Sequence, residues 1–106
     1  MGDIKLAVWN CSGALPSTST QNKINFLRSV NFNWDIVILV ETHHKELSDI
    51  RSLQTFTNKY EIFQTGARSD DPYAGIIVLI DKRLTVNSTQ VLLPGRLFHL
   101  KVPVNL

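Results

Sequence analysis

The chain has 106 residues, of which 43% are hydrophobic and 19% are charged, and its formal net charge is +2. This composition can form a folded core, but the charge is too small for a dedicated nucleic-acid binder. The single cysteine, Cys11, excludes an internal disulfide framework, and no signal peptide or bilayer-spanning apolar run is visible. We expect an intracellular setting, the nucleus included, with residues 1–106 forming one unit.

Two apolar segments each run directly into polar residues. In the first, residues 4–9, the parity that contains Leu6 and Val8 also contains Asn10. In the second, residues 35–40, the parity that contains Val37 and Leu39 leads to Glu41. Because the opposite parities are apolar as well, both segments are predicted to be interior strands, covered on both faces. Each polar tip is expected to extend a row of core residues.

The residues between these strands predict the crossover that a parallel pair requires. A polar stretch rich in Ser and Thr at residues 16–20 is followed by a helical pattern over residues 24–30. The unit is therefore predicted to be βαβ. In such units ligands bind at the carboxyl ends of the strands, where Asn10 and Glu41 lie.

The two polar tips suggest a metal site. A carboxylate at the end of a buried strand loses hydration unless a cation or hydrogen-bond donors compensate. Mg²⁺ binds through one or two carboxylates and amide oxygens while it keeps several waters, so Glu41 beside Asn10 fits. The alternative is that Glu41 caps a loop or pairs with a lysine, and that Asn10 closes a turn.

Beyond Glu41 the pattern predicts a short helix over residues 47–53 and then strands. The strands are expected at residues 60–63, 74–80, 84–92 and 96–102, with a polar loop at residues 66–72. His99 falls on the solvent-facing parity of the last strand. The pair His43 and His44 does not predict zinc, because neighbours in an extended segment point in opposite directions.

Four segments together resemble the endonuclease/exonuclease/phosphatase superfamily. The order of these segments is the one expected of the family: LAVWNCSG (6–13), DIVILVETH (35–43), YAGIIVLI (73–80) and GRLF (95–98). Within it, the chain is most similar to the apurinic-endonuclease-like domain of non-LTR retrotransposons. The resemblance implies the amino-terminal part of a four-layer α/β sandwich, with a mixed β-sheet and helices on the outer face.

The resemblance also implies roles for individual residues. Glu41 would be the metal-binding glutamate and Asn10 the asparagine beside it, both part of the catalytic centre, with Mg²⁺ as the cofactor and Mn²⁺ as a substitute. Tyr73, Arg96 and His43 would contact nucleic acid. From the residues alone, Tyr73 could equally anchor its loop, and Arg96 could equally be an exposed residue at the start of a strand.

The chain departs from the family pattern in two ways. Ser12 and His43 stand where repair-type members often carry an acidic residue and a lysine. The later Gly-Asp-x-Asn and Ser-Asp-His motifs do not follow, so we expect the metal-binding part alone to be inactive. Its partners would be DNA or another phosphodiester (RNA, inositol phosphate or lipid), and the missing carboxyl-terminal half or a second copy. The alternative is a non-catalytic, self-associating or interaction module.

Overall fold

A computed structural model of the chain describes residues 3–11, 33–46 and 56–103. These residues form six strands. The strands are β1 (Leu6–Asn10), β2 (Ile36–Val40), β3 (Tyr60–Thr65), β4 (Ile76–Asp81), β5 (Ser88–Leu93) and β6 (Leu97–Lys101). The predicted helices at residues 24–30 and 47–53 lie outside the described residues. No helix within the described ranges is long and apolar enough to cross a membrane.

Four of the strands form the main sheet, which has the order β1-β2-β4-β3. β1 and β2 are parallel, with Leu6 opposite Ile36 and Asn10 opposite Val40. β4 is antiparallel to both of its neighbours, β2 and β3. The predicted parallel pairing and the mixed sheet are therefore confirmed. The carboxyl ends of β1 and β2 lie side by side, next to the start of β4.

The core lies on both faces of β4, whose six residues are all buried. One face of the main sheet carries a cluster that includes Leu39, Tyr60 and Ile77. On the other face, Ile76, Val78 and Ile80 pack against partly buried residues of the β5–β6 hairpin and its flanks. A strand that is apolar on both faces belongs in the interior, and the run from Ile76 to Ile80 meets that condition.

The interior position predicted for β1 is wrong within the described residues. β1 lies at the edge of the main sheet, and its burial alternates along the strand. Leu6 and Val8 are 53% and 63% exposed, so the row that leads to Asn10 is the exposed row, not a core row. The opposite row packs instead, because Ala7 and Trp9 contact the buried cluster around Leu39. Apolar residues on both parities identified a strand but not its place in the sheet.

The last two strands form an antiparallel hairpin with an irregularity between Val91 and Leu93. Pro94 and Gly95 lie in its turn, as their residue types predict. His99 is exposed, in agreement with the prediction, while Phe98 and Leu100 are partly buried against the main sheet.

An ion-pair clip, formed by Asp35, Asp81 and Arg83, ties together the end of the main sheet at which β2 begins. Arg83 contacts the carboxylates of Asp35 at 2.9 Å and of Asp81 at 3.1 Å. Asp81 also accepts hydrogen bonds from the backbone N and the Nε of Arg83. Nearby, the Tyr60 hydroxyl donates to the backbone oxygen of Trp34 at 2.6 Å. These contacts join β2, β3 and β4 where charged residues replace apolar ones.

Candidate metal and substrate site

The segment that follows β2 has an unusual backbone. Glu41 and His43 have φ values of 54° and 59°, in the left-handed region that side chains other than glycine rarely adopt. Each such residue costs on the order of 1–3 kcal/mol unless its surroundings hold it there. Thr42 N donates to Gly75 O and His43 N donates to Ala74 O at 2.9 Å, so the segment is fixed against the residues before β4.

Two glycines allow three segments to meet. Gly75 has φ +121°, and a Cβ there would overlap Thr42 Oγ1 and lie 3.1 Å from His43 N. Gly95 has φ +74°, and its N–H donates to the buried Thr65 Oγ1 while its carbonyl accepts from Gly75 N at 2.8 Å. We call the meeting point of residues 41–44, 73–75 and 94–96 the loop junction. It lies at the carboxyl end of β2.

A buried polar network supports the loop junction from below. Thr42 and His44 are fully buried. His44 Nε2 donates to Gln64 Oε1 at 2.9 Å, which leaves Nδ1 to accept from the Thr42 hydroxyl. His43 instead contacts Tyr73, so the two adjacent histidines have different neighbours. Among the described side chains, there is no group of three His, Cys, Asp or Glu that could hold a metal.

Four of the five site residues implied by the family resemblance meet at the loop junction. Glu41 is half-buried, and the rings of His43 and Tyr73 make an edge-to-face contact with centroids 5.0 Å apart. Arg96 forms hydrogen bonds to Asp71 through Nε and Nη2, both at 2.8 Å. The bond to Asp71 raises the pKa of Arg96, and the charge of Glu41 adds to that increase. Glu41 is therefore within electrostatic range of Arg96.

Asn10, the fifth residue, lies at the end of the neighbouring strand. In the parallel register it stands opposite Val40, one residue before Glu41, and it is exposed. Strand parity alone would put these two side chains on opposite faces of the sheet. The left-handed backbone at Glu41 ends the alternation, so the direction of its carboxylate does not follow from parity. The two strand ends are adjacent, and pairing of Asn10 with Glu41 at one ion stays a prediction.

The donor set at these strand ends has the chemistry of a magnesium site. Glu41 offers a carboxylate and Asn10 an amide oxygen, both hard ligands. Mg²⁺ needs only one or two carboxylates because waters and substrate oxygens fill its remaining positions. A site of this type requires no cluster of three ionisable side chains. The residues therefore fit Mg²⁺ or Mn²⁺ better than zinc.

Sequence reasoning missed Asp71. It falls in the predicted polar loop at residues 66–72, and the structure places it in an ion pair with Arg96, at 2.8 Å. The hydrogen bond from Arg96 lowers the pKa of Asp71. The only sequence signal for this pair is opposite charge across 25 residues, which many other pairs share.

The chain is similar in structure to TDP2 of Caenorhabditis elegans. It matches a truncated form with a TM-score of 0.57 and 22% identity, over 82% of this chain and 33% of that chain. Two other structures of C. elegans TDP2, one with selenomethionine, match with a TM-score of 0.55 and 21% identity, over 82% of this chain and 25% of theirs. The chain thus spans a third or less of these relatives.

No family model matches the chain. A comparison with curated proteins also finds no match. The structural likeness shows the endonuclease/exonuclease/phosphatase fold, and with it the mixed sheet expected from the sequence.

Proposed function

We propose that the chain is the metal-binding part of a Mg²⁺-dependent phosphodiesterase domain, a DNA endonuclease of retroelement type. The observation that carries this proposal is the geometry of Glu41. It is a half-buried carboxylate in a left-handed conformation, at the carboxyl end of a central strand, in the endonuclease/exonuclease/phosphatase fold. Strained residues of this kind cluster at functional sites. The fold that the chain shares with TDP2 supports the same assignment.

Glu41 and Asn10 would hold the ion from two adjacent strands, with Mn²⁺ as a substitute. A divalent ion bound there neutralises charge on a phosphodiester and orients it. The contribution of the chain is to place the Glu41 carboxylate, through the two backbone hydrogen bonds from Thr42 and His43 that hold the segment. Asn10 adds a neutral oxygen without a second negative charge.

His43, Tyr73 and Arg96 would bind the nucleic acid around that ion. Tyr73 is 65% exposed, and an exposed aromatic ring can stack on any base. Its edge contact with His43 fixes the ring. The planar guanidinium of Arg96 suits two-point binding of a phosphate. An aromatic pair beside an arginine favours DNA over the inositol phosphate and lipid alternatives.

We propose that residues 1–106 form one partial domain that needs a further segment for catalysis. Cleavage requires a positioned water and a donor for the developing charge as well as a metal. The Gly-Asp-x-Asn and Ser-Asp-His motifs that supply them in the family do not occur after Glu41. In a version of the domain that carries these motifs, Glu41→Ala is expected to abolish cleavage and leave the fold intact. Retained cleavage would refute the assignment of Glu41.

The metal site is tested directly by titrating the chain with Mg²⁺ and recording ¹⁵N–¹H NMR spectra. The amides of residues 10–11 and 40–44 are expected to shift together and saturate, and Mn²⁺ is expected to broaden the same signals. In Glu41→Gln these changes are lost, because the amide lacks the charge that an ion needs. Glu61→Gln is the matched control, since Glu61 is an exposed carboxylate on β3. Equal binding by Glu41→Gln and the wild type would contradict the proposal.

A second candidate function, a self-associating module, is favoured by an apolar surface beside β1. A cavity of about 290 Å³ there is lined only by apolar residues, including Leu6, Ile38 and Leu100. Exposed apolar patches of this kind are typical of interaction sites. A second copy of the chain would cover this surface, and Leu6→Lys is expected to prevent the association. Sedimentation equilibrium tests self-association, because a chain that stays monomeric at high concentration would contradict this second candidate function.

A further inference from the structure

We infer that Asp71 is a positioning residue, which holds the Arg96 guanidinium ready to bind a substrate phosphate. This inference rests on the proposed function and adds to it a residue of the predicted polar loop at residues 66–72. Its basis is the fork between the two side chains, in which Nε and Nη2 of Arg96 each donate to a different oxygen of Asp71 at 2.8 Å. A two-point bond of this type fixes the plane of the guanidinium as well as its distance.

Both residues of the fork start from anchored backbone. Arg96 follows Gly95, whose N–H is bound by the buried Thr65 hydroxyl and whose carbonyl is bound by Gly75. Asp71 lies in a turn in which its N–H donates to Arg68 O at 3.0 Å and its carbonyl accepts from Ala74 N at 3.3 Å. The fork therefore joins two fixed loops rather than two mobile side chains.

This arrangement uses only one edge of the guanidinium. Arginine has N–H groups on Nε and on both Nη atoms, and the fork uses those on the Asp71 side. The Nη1 edge is available to another acceptor, and Arg96 is 40% exposed along its side chain. Because the rotamer is already restricted, a phosphate that binds this edge meets a lower entropic cost.

Two explanations predict opposite effects of removing Asp71 on DNA binding: one considers only the net charge of the surface, and the other considers the positioning of Arg96. Removing an acidic residue makes the surface more positive, which by itself strengthens the binding of an anion such as DNA. If Asp71 instead positions Arg96, its removal releases the guanidinium and weakens binding, despite the gain in positive charge. Whether DNA binding becomes stronger or weaker without Asp71 therefore distinguishes the two explanations.

The experiment measures binding of the chain to a fluorescein-labelled 20-base-pair DNA duplex by fluorescence anisotropy, in Mg²⁺ and at several NaCl concentrations. Asp71→Asn is expected to weaken binding roughly five- to tenfold, and Arg96→Ala at least as much. In both variants the plot of log affinity against log salt concentration should become less steep, by the amount that corresponds to the loss of about one phosphate contact. The double variant should bind no more weakly than Arg96→Ala alone.

Asp70→Asn is the matched control, because it removes the same charge one residue away and breaks only the exposed pair with Arg68. It is expected to bind DNA as tightly as the wild type or more tightly. Asp71→Glu, which keeps the carboxylate, should restore part of the affinity and of the salt slope. Thermal unfolding of each variant checks that the fold is retained.

Binding by Asp71→Asn that equals or exceeds that of the wild type would overturn the inference while the proposed function stands. Weaker binding with an unchanged salt slope would also overturn it, because the phosphate contact would then be intact. A wild-type chain that does not bind the duplex overturns the proposed DNA substrate, and the inference with it.

Discussion

The carboxylates at the two ends of the main sheet have different surroundings. Where β2 begins, the buried Asp81 accepts hydrogen bonds from Arg83 in the ion-pair clip. Where β2 ends, Glu41 lies in a left-handed backbone, within electrostatic range of Arg96, which is already bound to Asp71. Both ends carry a carboxylate, but within the described part of the chain only the clip end satisfies it.

The two carboxylates therefore differ in what they contribute to the stability of the fold. At the clip, burial alone would raise the pKa of Asp81, yet hydrogen bonds from Arg83 lower it below its usual value. The charged form is thus favoured by folding, and the contribution is lost only as the pH falls through that lowered pKa. Glu41 has no such partner among the residues that the structure describes, and it sits in a strained segment. That is the pattern expected where a protein keeps a ligand position open.

The largest effect on stability should come from Gly75→Ala, which disrupts the packing of the loop junction. The new Cβ would overlap Thr42 Oγ1, and alanine is strained at φ +121°. Together, strain and overlap are expected to cost about 2–5 kcal/mol of unfolding free energy. Urea unfolding measures the loss, and NMR shifts of residues 41–44 report the displacement. Ser69→Ala, in an exposed turn of the neighbouring loop, is the control. A loss below about 0.5 kcal/mol would show that the junction is loosely packed.

Much of the sheet could be predicted from the sequence because its signals are local. The apolar runs that became β2 and β4 are long and almost free of polar residues, so their burial follows from composition. Turn residues at Pro94 and Gly95 marked the hairpin. The edge position of β1 could not be predicted, since it depends on which strands pair, and an apolar strand looks the same at an edge and in the interior.

The candidate site was predictable only in part, for a similar reason. Strand tips identified Asn10 and Glu41, and the family resemblance added His43, Tyr73 and Arg96. The left-handed backbone at Glu41 and the buried bond between His44 and Gln64 depend on tertiary contacts across the loop junction. No periodicity in the sequence carries that information.

The second prediction concerns how the stability of the end of the sheet that carries the ion-pair clip depends on pH. Burial, together with the charges of Asp81 and Asp35, raises the pKa of Tyr60 to about 12. The folded chain therefore keeps the phenol neutral above pH 10, while the unfolded chain ionises. Stability from this group is complete below pH 10 and is lost between pH 10 and 12, by roughly 3 kcal/mol.

Tyr60→Phe isolates this loss. At pH 7 the variant should be less stable by about 1 kcal/mol, because the hydrogen bond to Trp34 O is removed. Between pH 10 and 12 it should lose less stability than the wild type, since a phenylalanine side chain does not ionise and the exposed Tyr73 is common to both chains. Urea unfolding at each pH gives the difference. Parallel curves for the two chains would show that Tyr60 is solvated.

The smallest expected effect is that of Glu41→Gln, which is compared with the same carboxylate-to-amide change at the other end of the sheet. Asp81→Asn should cost about 2 kcal/mol, because a buried acceptor of three hydrogen bonds loses its charge. The cost is below that of a fully buried pair because the Arg83 side chain is 73% exposed. Glu41→Gln should change stability by less than about 0.5 kcal/mol, because its attraction to Arg96 is weak and screened.

Urea unfolding at pH 7 without divalent ions measures both changes, and an unchanged m-value shows that each midpoint reports stability alone. With Mg²⁺ added, the wild type and Asp81→Asn should gain stability by mass action, whereas Glu41→Gln should not. If Glu41→Gln costs as much as Asp81→Asn, Glu41 is a structural acceptor like its counterpart, and the distinction between the two ends of the sheet fails. A gain with Mg²⁺ that survives Glu41→Gln would place the ion elsewhere in the chain.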